Sequence, residues 1–293
     1  MSAPSVAGEL RAATERLAAA GAGSPRVDAE LLLAHLLGLS RGRLLLVTGL
    51  TDAQRAAYAE LVGRRAAGVP LQHLTGRAPY RYLELAVGPG VFVPRPETEL
   101  ILELAAPELA RAGRVVDLCA GSGAIALAVA QEFPQAAVWA VERSPDAAGW
   151  LRRNAAERAA AGDRPVEVVQ ADVADGRLLA GLRVDVVLSN PPYVPATLRS
   201  RLAAEVGHDP DEAVFAGPDG LALMPALLAT AARLLAPGGL LVLEHDASHG
   251  AALPALLAAA GDWQEISGHP DLAGRPRFAR AVRTRSNAAA GGG

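Results

Sequence analysis

The chain has 293 residues, 51% of them hydrophobic, and a formal charge of −3. That is enough apolar material for one large domain with a smaller companion, and the balance of charge argues against a protein that grips nucleic acid by broad phosphate neutralisation. No uncharged apolar run reaches the roughly 18 residues of a membrane-spanning helix, and the opening Met-Ser-Ala-Pro lacks the basic and apolar regions of a secretory leader, so a cytoplasmic protein is expected. Cys119 is the only cysteine, which leaves neither a disulfide nor a thiolate cluster. Every basic side chain besides histidine is arginine, a sign of base composition and not of chemistry. His35, His73, His208, His245, His249 and His269 are scattered without ligand spacing, so no metal is expected.

From about residue 5 to 68, apolar residues such as Val27, Leu31, Leu32, Leu36 and Leu37 recur at helical spacing. This predicts a small helical bundle, assigned to residues 1–75. Thr51 and Gln54 have the spacing of a capping box and should start a helix running through Arg55 to about Arg65. Over 76–99 the pattern becomes short and extended, Tyr80 to Val87 and Val91 to Val93 around Gly88-Pro89-Gly90, which reads as a hairpin linking two domains.

From Arg114 strands and helices alternate. The strands are Val115 to Cys119, Ala136 to Glu142, Val166 to Gln170, Val184 to Ser189 and Leu240 to His245, with helices opening at Gly123 and at Ser144-Pro145. A final pair, Trp263 to Ser267 and Arg277 to Val282, leaves no room for a crossover helix between them, so the last strand should be antiparallel. The expected class is α/β, a mostly parallel sheet over residues 100–285 with helices on both faces. The tail 286–293 has nothing to bury and is expected to be disordered.

Asp117-Leu118-Cys119-Ala120-Gly121-Ser122-Gly123 carries an apolar strand into a glycine-rich turn and a helix, at the place where open parallel sheets bind ligands. The next strand ends at Glu142, about twenty residues on, where a carboxylate can accept from two ribose hydroxyls. Asp172 follows the third strand and can accept from an adenine amino group, with Val173 packed on the ring. The turn has neither a phosphate-binding lysine nor the third glycine of the dinucleotide fingerprint. Together these favour adenosine joined to an amino acid, which is S-adenosylmethionine.

Asn190-Pro191-Pro192-Tyr193 ends the fourth strand. An amide or aromatic amino nitrogen is a poor nucleophile because its lone pair is delocalised. The Asn190 side-chain oxygen and the Pro191 carbonyl can accept from both of its N–H groups, while the prolines fix the backbone and add no competing donor. Tyr193 can stack on the planar group. The rate would then come from positioning rather than a strong base. A glutamine amide and adenine's amino group both satisfy this motif. Glu244 and His245, at the next strand end, are read as supporting residues rather than an acid/base pair.

Together with Pro70-Leu71-Gln72-His73-Leu74-Thr75-Gly76, Val93-Pro94-Arg95-Pro96-Glu97-Thr98-Glu99 and Gly217-Pro218-Asp219-Gly220-Leu221, these motifs make the chain resemble the release factor glutamine methyltransferase family over nearly its whole length. The resemblance implies a seven-stranded Rossmann-like class I methyltransferase domain and an N-terminal helical domain that contacts a peptide-chain release factor. It also implies methylation of the glutamine in that factor's Gly-Gly-Gln motif, with Arg95, Pro96, Glu97 and Thr98 closing over cofactor and substrate and neither nucleic acid nor membrane as partner. Glu142 stands where aspartate is common, His208-Asp209-Pro210 where an aromatic-Glu-Pro sequence is usual, and Arg81-Tyr82-Leu83 lacks an expected glycine. The alternatives are a sister enzyme acting on a ribosomal-protein glutamine and a nucleic-acid amino-group methyltransferase.

Overall fold

A computed structural model describes residues 5–202 and 204–285. The chain divides into two compact units, one covering 5–77 with 204–208 and the other 78–202 with 209–285.

The first unit is helical: α1 (Val6–Ala19), α2 (Pro25–Leu37), α3 (Asp52–Ala66) and α4 (Leu71–Thr75). Its helix ends follow local chemistry. The Ser5 hydroxyl accepts from the Gly8 N–H at α1, and Pro25 opens α2 while left-handed Gly38 closes it. At α3 both halves of the capping box form: Thr51 Oγ1 accepts from the Gln54 N–H, and Gln54 Oε1 accepts from the Thr51 N–H. Leu10, Leu17, Leu32, Leu33, Tyr58 and Val62 make the core. Within it the Tyr58 hydroxyl donates to the Ala29 carbonyl at 2.8 Å. Arg65, itself buried, pairs with Asp28 at 2.8 Å and with Glu205, so each buried charge has a counter-charge.

The second unit begins with a two-stranded pair, β1 (Arg77–Tyr80) and β2 (Leu83–Ala86). Here the structure corrects the reading of 80–93. The hairpin turns at Arg81-Tyr82, and Val91 to Val93 are buried without being a strand. Arg81, in the glycine-free stretch, takes a left-handed φ of 50°. It is held there by its N–H donating to Glu99 at 3.0 Å and by its guanidinium pairing with Glu103 and Glu132, which offsets a strain that glycine would not carry. Gly88-Pro89-Gly90 is a packing surface instead. The Trp150 indole N–H donates to the Pro89 carbonyl at 3.2 Å, and a Cβ on Gly88 would lie 2.6 Å from the Trp150 ring.

There follow α5 (Leu100–Leu109), β3 (Arg114–Leu118), α6 (Ala124–Glu132), β4 (Ala137–Glu142), α7 (Pro145–Ala160), β5 (Val166–Gln170), β6 (Val184–Ser189), α8 (Asp211–Val214), α9 (Met224–Leu234), β7 (Leu235–Glu244), α10 (Ala252–Ala260), β8 (Trp263–Pro270) and β9 (Pro276–Arg283). The seven-stranded sheet has the order β5-β4-β3-β6-β7-β9-β8. All pairings from β5 to β7 are parallel. The last strand runs antiparallel as expected, and it inserts between β7 and β8, with Glu244 opposite Phe278 and Trp263 opposite Arg283. One core gathers Ile101, Leu102, Ile125, Val129 and Leu151 with Phe278. The other gathers Met224, Leu227, Leu253 and Leu257 with Val187 and Leu241. Because β3 to β7 point the same way, Leu118, Glu142, Gln170, Ser189 and Glu244 end at one edge of the sheet, where such folds bind ligands. The tail from Ser286, expected to be disordered, lies outside the described residues.

Candidate active site

A cavity of about 470 Å³ opens at that edge. The turn after β3 forms one wall, with left-handed backbone at Cys119 (φ 63°), Gly121 (57°) and Gly123 (91°). Cys119 adopts this conformation without being glycine, a strain typical of functional loops. Gly123 admits no other residue without rearrangement, since a Cβ there would stand 2.5 Å from Leu151 and 3.0 Å from Leu127. At Gly121 a Cβ would meet nothing within 4 Å, so this glycine leaves open space beside the backbone. Cys119, Ala120, Gly121 and Ser122 line the cavity, whereas Asp117 and Gly123 lie behind it.

Asp117 is fully buried. Its Oδ2 accepts from the Ala126 N–H at 3.1 Å, and its Oδ1 has no hydrogen-bond partner. Burial pushes its carboxyl well above the usual aspartate range. Burial likewise pushes the Cys119 thiol up, so it is a neutral wall group and not a nucleophile.

Glu142 ends β4 and ties two backbone segments together. Its Oε2 accepts from the Gly121 N–H at 2.9 Å and its Oε1 from the Ser144 N–H at 2.7 Å. A carboxylate oxygen can accept more than one hydrogen bond, so Glu142 can brace the glycine turn and still take two hydroxyls from the cavity side. Asp172 accepts from the Ala174 N–H at 2.8 Å and faces Arg143 at 3.5 Å, and Val173 lies beside it on the cavity wall.

The opposite wall is Asn190, Pro191, Pro192 and Tyr193 after β6. Asn190 Nδ2 donates to Thr98 Oγ1 at 3.1 Å, and the Tyr193 hydroxyl donates to Glu244 Oε1 at 2.7 Å. Burial and the neighbouring Glu244 carboxyl raise the Tyr193 phenol well above its ordinary value, so it stays protonated. Gly220 makes a close approach here: a Cβ would fall 2.2 Å from the Tyr193 carbonyl oxygen.

Of the Arg95 to Thr98 stretch, only Thr98 lines the cavity. Arg95 pairs with the wholly buried Asp209 and lies 4.9 Å from the Phe92 ring, while Glu97 sits 3.9 Å from Arg275. Asp209 also accepts from the Val93 N–H at 3.1 Å. Arg95 and Asp209 therefore fasten the 91–95 segment, which supplies Val91, Phe92 and Pro94 to the cavity.

Sequence reasoning missed Phe92 and the wall from Pro210 to Gly217, to which α8 belongs. That wall is joined to the chain just after Tyr193 by a bridge between Val194 and Phe215, and no local pattern announces the pairing. Among the described residues, no cluster of His, Cys, Asp and Glu could hold a metal ion, and no helix is long and apolar enough to cross a membrane.

Residues 10–76 match the family described as PrmC N-terminal domain, and 84–206 the one described as Methyltransferase small domain. Among curated proteins, the release factor glutamine methyltransferase of Mycolicibacterium smegmatis is 49% identical over 94% of this chain and 96% of its own length. The protein of the same name from Streptomyces coelicolor is 50% identical over 93% and 96%. The chain belongs to the release factor glutamine methyltransferase family. Another member, from Deinococcus radiodurans, is 44% identical over 94% of this chain and 97% of its own. The likeness thus runs through both units, and the second unit is a methyltransferase domain.

Proposed function

We propose that the protein methylates the side-chain amide nitrogen, N5, of the glutamine in the Gly-Gly-Gln motif of peptide-chain release factors, with S-adenosylmethionine as donor. One observation carries the reading. Asn190 Nδ2 donates one N–H to Thr98 beside the glycine-turn cavity, which leaves Oδ1 at the other end of the amide to accept from the substrate.

The cavity's donors and acceptors suit the cofactor. Gly121 leaves room beside the backbone, Glu142 has acceptor capacity for ribose hydroxyls, and Asp172 with Val173 can take an adenine. S-adenosylmethionine supplies an electrophilic sulfonium methyl when bound there. Asn190 Oδ1 and the Pro191 carbonyl would accept the two N–H groups of the glutamine amide and turn its nitrogen toward the cofactor end of the cavity. Pro191 and Pro192 hold that backbone rigid without offering a donor, and Tyr193 gives the flat amide a face to lie on. Positioning of this kind accounts for a large part of a transfer barrier, and the released proton passes to water.

The N-terminal unit, which carries Leu45 and Leu46 fully in solvent at 92% and 78% exposure, is assigned to docking the release factor. On this reading the protein acts in the cytoplasm on a protein substrate and needs no nucleic-acid partner of its own. Mass spectrometry of a purified release factor incubated with the protein and S-adenosylmethionine tests this. One added methyl, absent with Asn190→Ala, is expected; an unmodified factor alongside a methylated ribosomal protein or nucleic acid would move the assignment to the sister chemistry.

A further inference from the structure

Helix α7 carries Asp146, Trp150 and Asn154 at intervals of four residues, which puts all three on one face. That face runs along residues 86–90, the stretch that leaves β2. A Cβ on Gly90 would stand 3.0 Å from the Asp146 Cβ, Gly88 packs on the Trp150 ring, and the Trp150 indole N–H donates to the Pro89 carbonyl. At the inner end of the face, Asn154 is buried to 1% exposure. Its Oδ1 accepts from the Ala86 N–H at 2.8 Å, and its Nδ2 donates to the Ala86 carbonyl at 3.0 Å and to the Ser122 carbonyl at 2.9 Å.

A side-chain amide has two N–H donors and one carbonyl oxygen, so Asn154 uses both donors and its orientation is fixed. Turned over, its oxygen would face two carbonyls and its NH₂ would face the Ala86 N–H. Pairing with both the N–H and the carbonyl of Ala86 grips that residue as a neighbouring strand would. The third partner lies in the glycine turn. Ser122 lines the cavity, as do Gly90, Val91, Phe92 and Pro94 just beyond the gripped stretch, whereas Asn154 itself stands behind the lining residues. The same helix meets the turn a second time, since Leu151 is the side chain that closes on Gly123. One helix thus holds two walls of the cavity, and Asn154 is hydrogen-bonded both to the turn and to the chain that leads to the other wall.

We infer that Asn154 is a positioning residue for cofactor binding: its buried amide ties the Ser122 carbonyl of the glycine turn to Ala86, so that the turn and the 90–94 wall keep one separation before the cofactor arrives. The inference rests on the glycine-turn cavity being the S-adenosylmethionine site. Without the tie, the turn must be set in place at the moment of binding, and that ordering is subtracted from affinity. Asn154→Asp keeps the size of the side chain and an acceptor for the Ala86 N–H but removes the two N–H donors. Ionised, it sets a charge against the Ala86 and Ser122 carbonyls; protonated, it donates to only one of them.

Calorimetric titration of the full-length wild type and Asn154→Asp with S-adenosylhomocysteine tests this. Misfolding lowers the number of binding sites, whereas a displaced turn lowers the affinity of each site, so one titration separates the two. Asn154→Asp should weaken binding by roughly tenfold, the scale of ordering one or two side chains on binding, at unchanged stoichiometry. Wild-type affinity in Asn154→Asp, or a loss confined to stoichiometry, would overturn the inference. Hydrogen exchange on the wild-type protein gives a second decision that needs no variant. Residues 83–89 do not line the cavity, yet S-adenosylhomocysteine should slow exchange of the Ala86 N–H, because Asn154 links it to the turn that the ligand orders. Exchange at Ala86 that ignores the ligand would overturn the inference even where Asn154→Asp does not fold. A wild-type protein that fails to bind S-adenosylhomocysteine would remove the cofactor reading of the cavity and the inference with it, whereas the earlier results leave that reading in place.

Discussion

The two ends of the active-site cavity are built in different ways. The end assigned to the cofactor is made of backbone and strand termini: a glycine turn after β3, Glu142 bracing it through the Gly121 and Ser144 N–H groups, and Asp172 just beyond β5. Each of its parts is local to one strand end. The end assigned to the substrate amide is built from two side-chain pairs that span distant stretches, Asn190 donating to Thr98 and Tyr193 donating to Glu244. A site of the first kind tolerates change by losing affinity, and one of the second kind loses rate.

The largest effect should fall at the acceptor end. Asn190→Ala removes a polar contact whose value is greatest during transfer, and kcat should drop on the order of a hundred- to a thousandfold with cofactor affinity little changed. Steady-state kinetics beside calorimetry checks both halves, and a loss carried by cofactor affinity would break the contrast. Next comes Gly123→Ala, where the added methyl meets Leu151 at 2.5 Å in a left-handed backbone. Overpacking of this kind costs about 1–3 kcal/mol, readable as a lower urea midpoint with an unchanged slope.

Glu142→Gln should weaken cofactor binding by about tenfold or somewhat more, the scale of one charged hydrogen bond, and leave kcat at saturating cofactor near wild type. The smallest effect concerns Asp117. Its folded-state carboxyl is raised by burial, so it contributes most to stability below the ordinary aspartate range and that contribution is lost as pH rises toward the folded value. Asp117→Asn mimics the protonated form. It should match wild type near pH 3 and gain on it as pH rises to neutrality; parallel urea curves at both ends of that range decide the sign.

The same contrast governs how much was legible in the sequence. Strand ends, the capping box at Thr51 and Gln54, and the glycine turn are short-range signals, and the structure places them where the pattern expected. The antiparallel last strand followed from the lack of room for a crossover, but its insertion between β7 and β8 is a long-range pairing that no spacing encodes. The hairpin was misplaced because Gly88-Pro89-Gly90 looks like a turn, whereas the turn is made by Arg81, whose left-handed backbone depends on carboxylates far along the chain. Arg95 was expected to close over cofactor and substrate on the family resemblance alone. Its guanidinium is taken instead by Asp209, a partner more than a hundred residues away. Asn190, Thr98 and Glu244 were all marked near the site, but not which side chain of the motif each one touches, since those contacts form only when β6, β7 and the turn before α5 are assembled.

The most direct measurement is fragment-ion mapping of a release factor methylated by wild-type protein and by Asn190→Ala under saturating S-adenosylmethionine. A single methyl on the amide nitrogen of the Gly-Gly-Gln glutamine, formed by wild type and lost with the variant, is the predicted result. A methyl on another residue, or equal labelling by the variant, would contradict an acceptor site organised around Asn190.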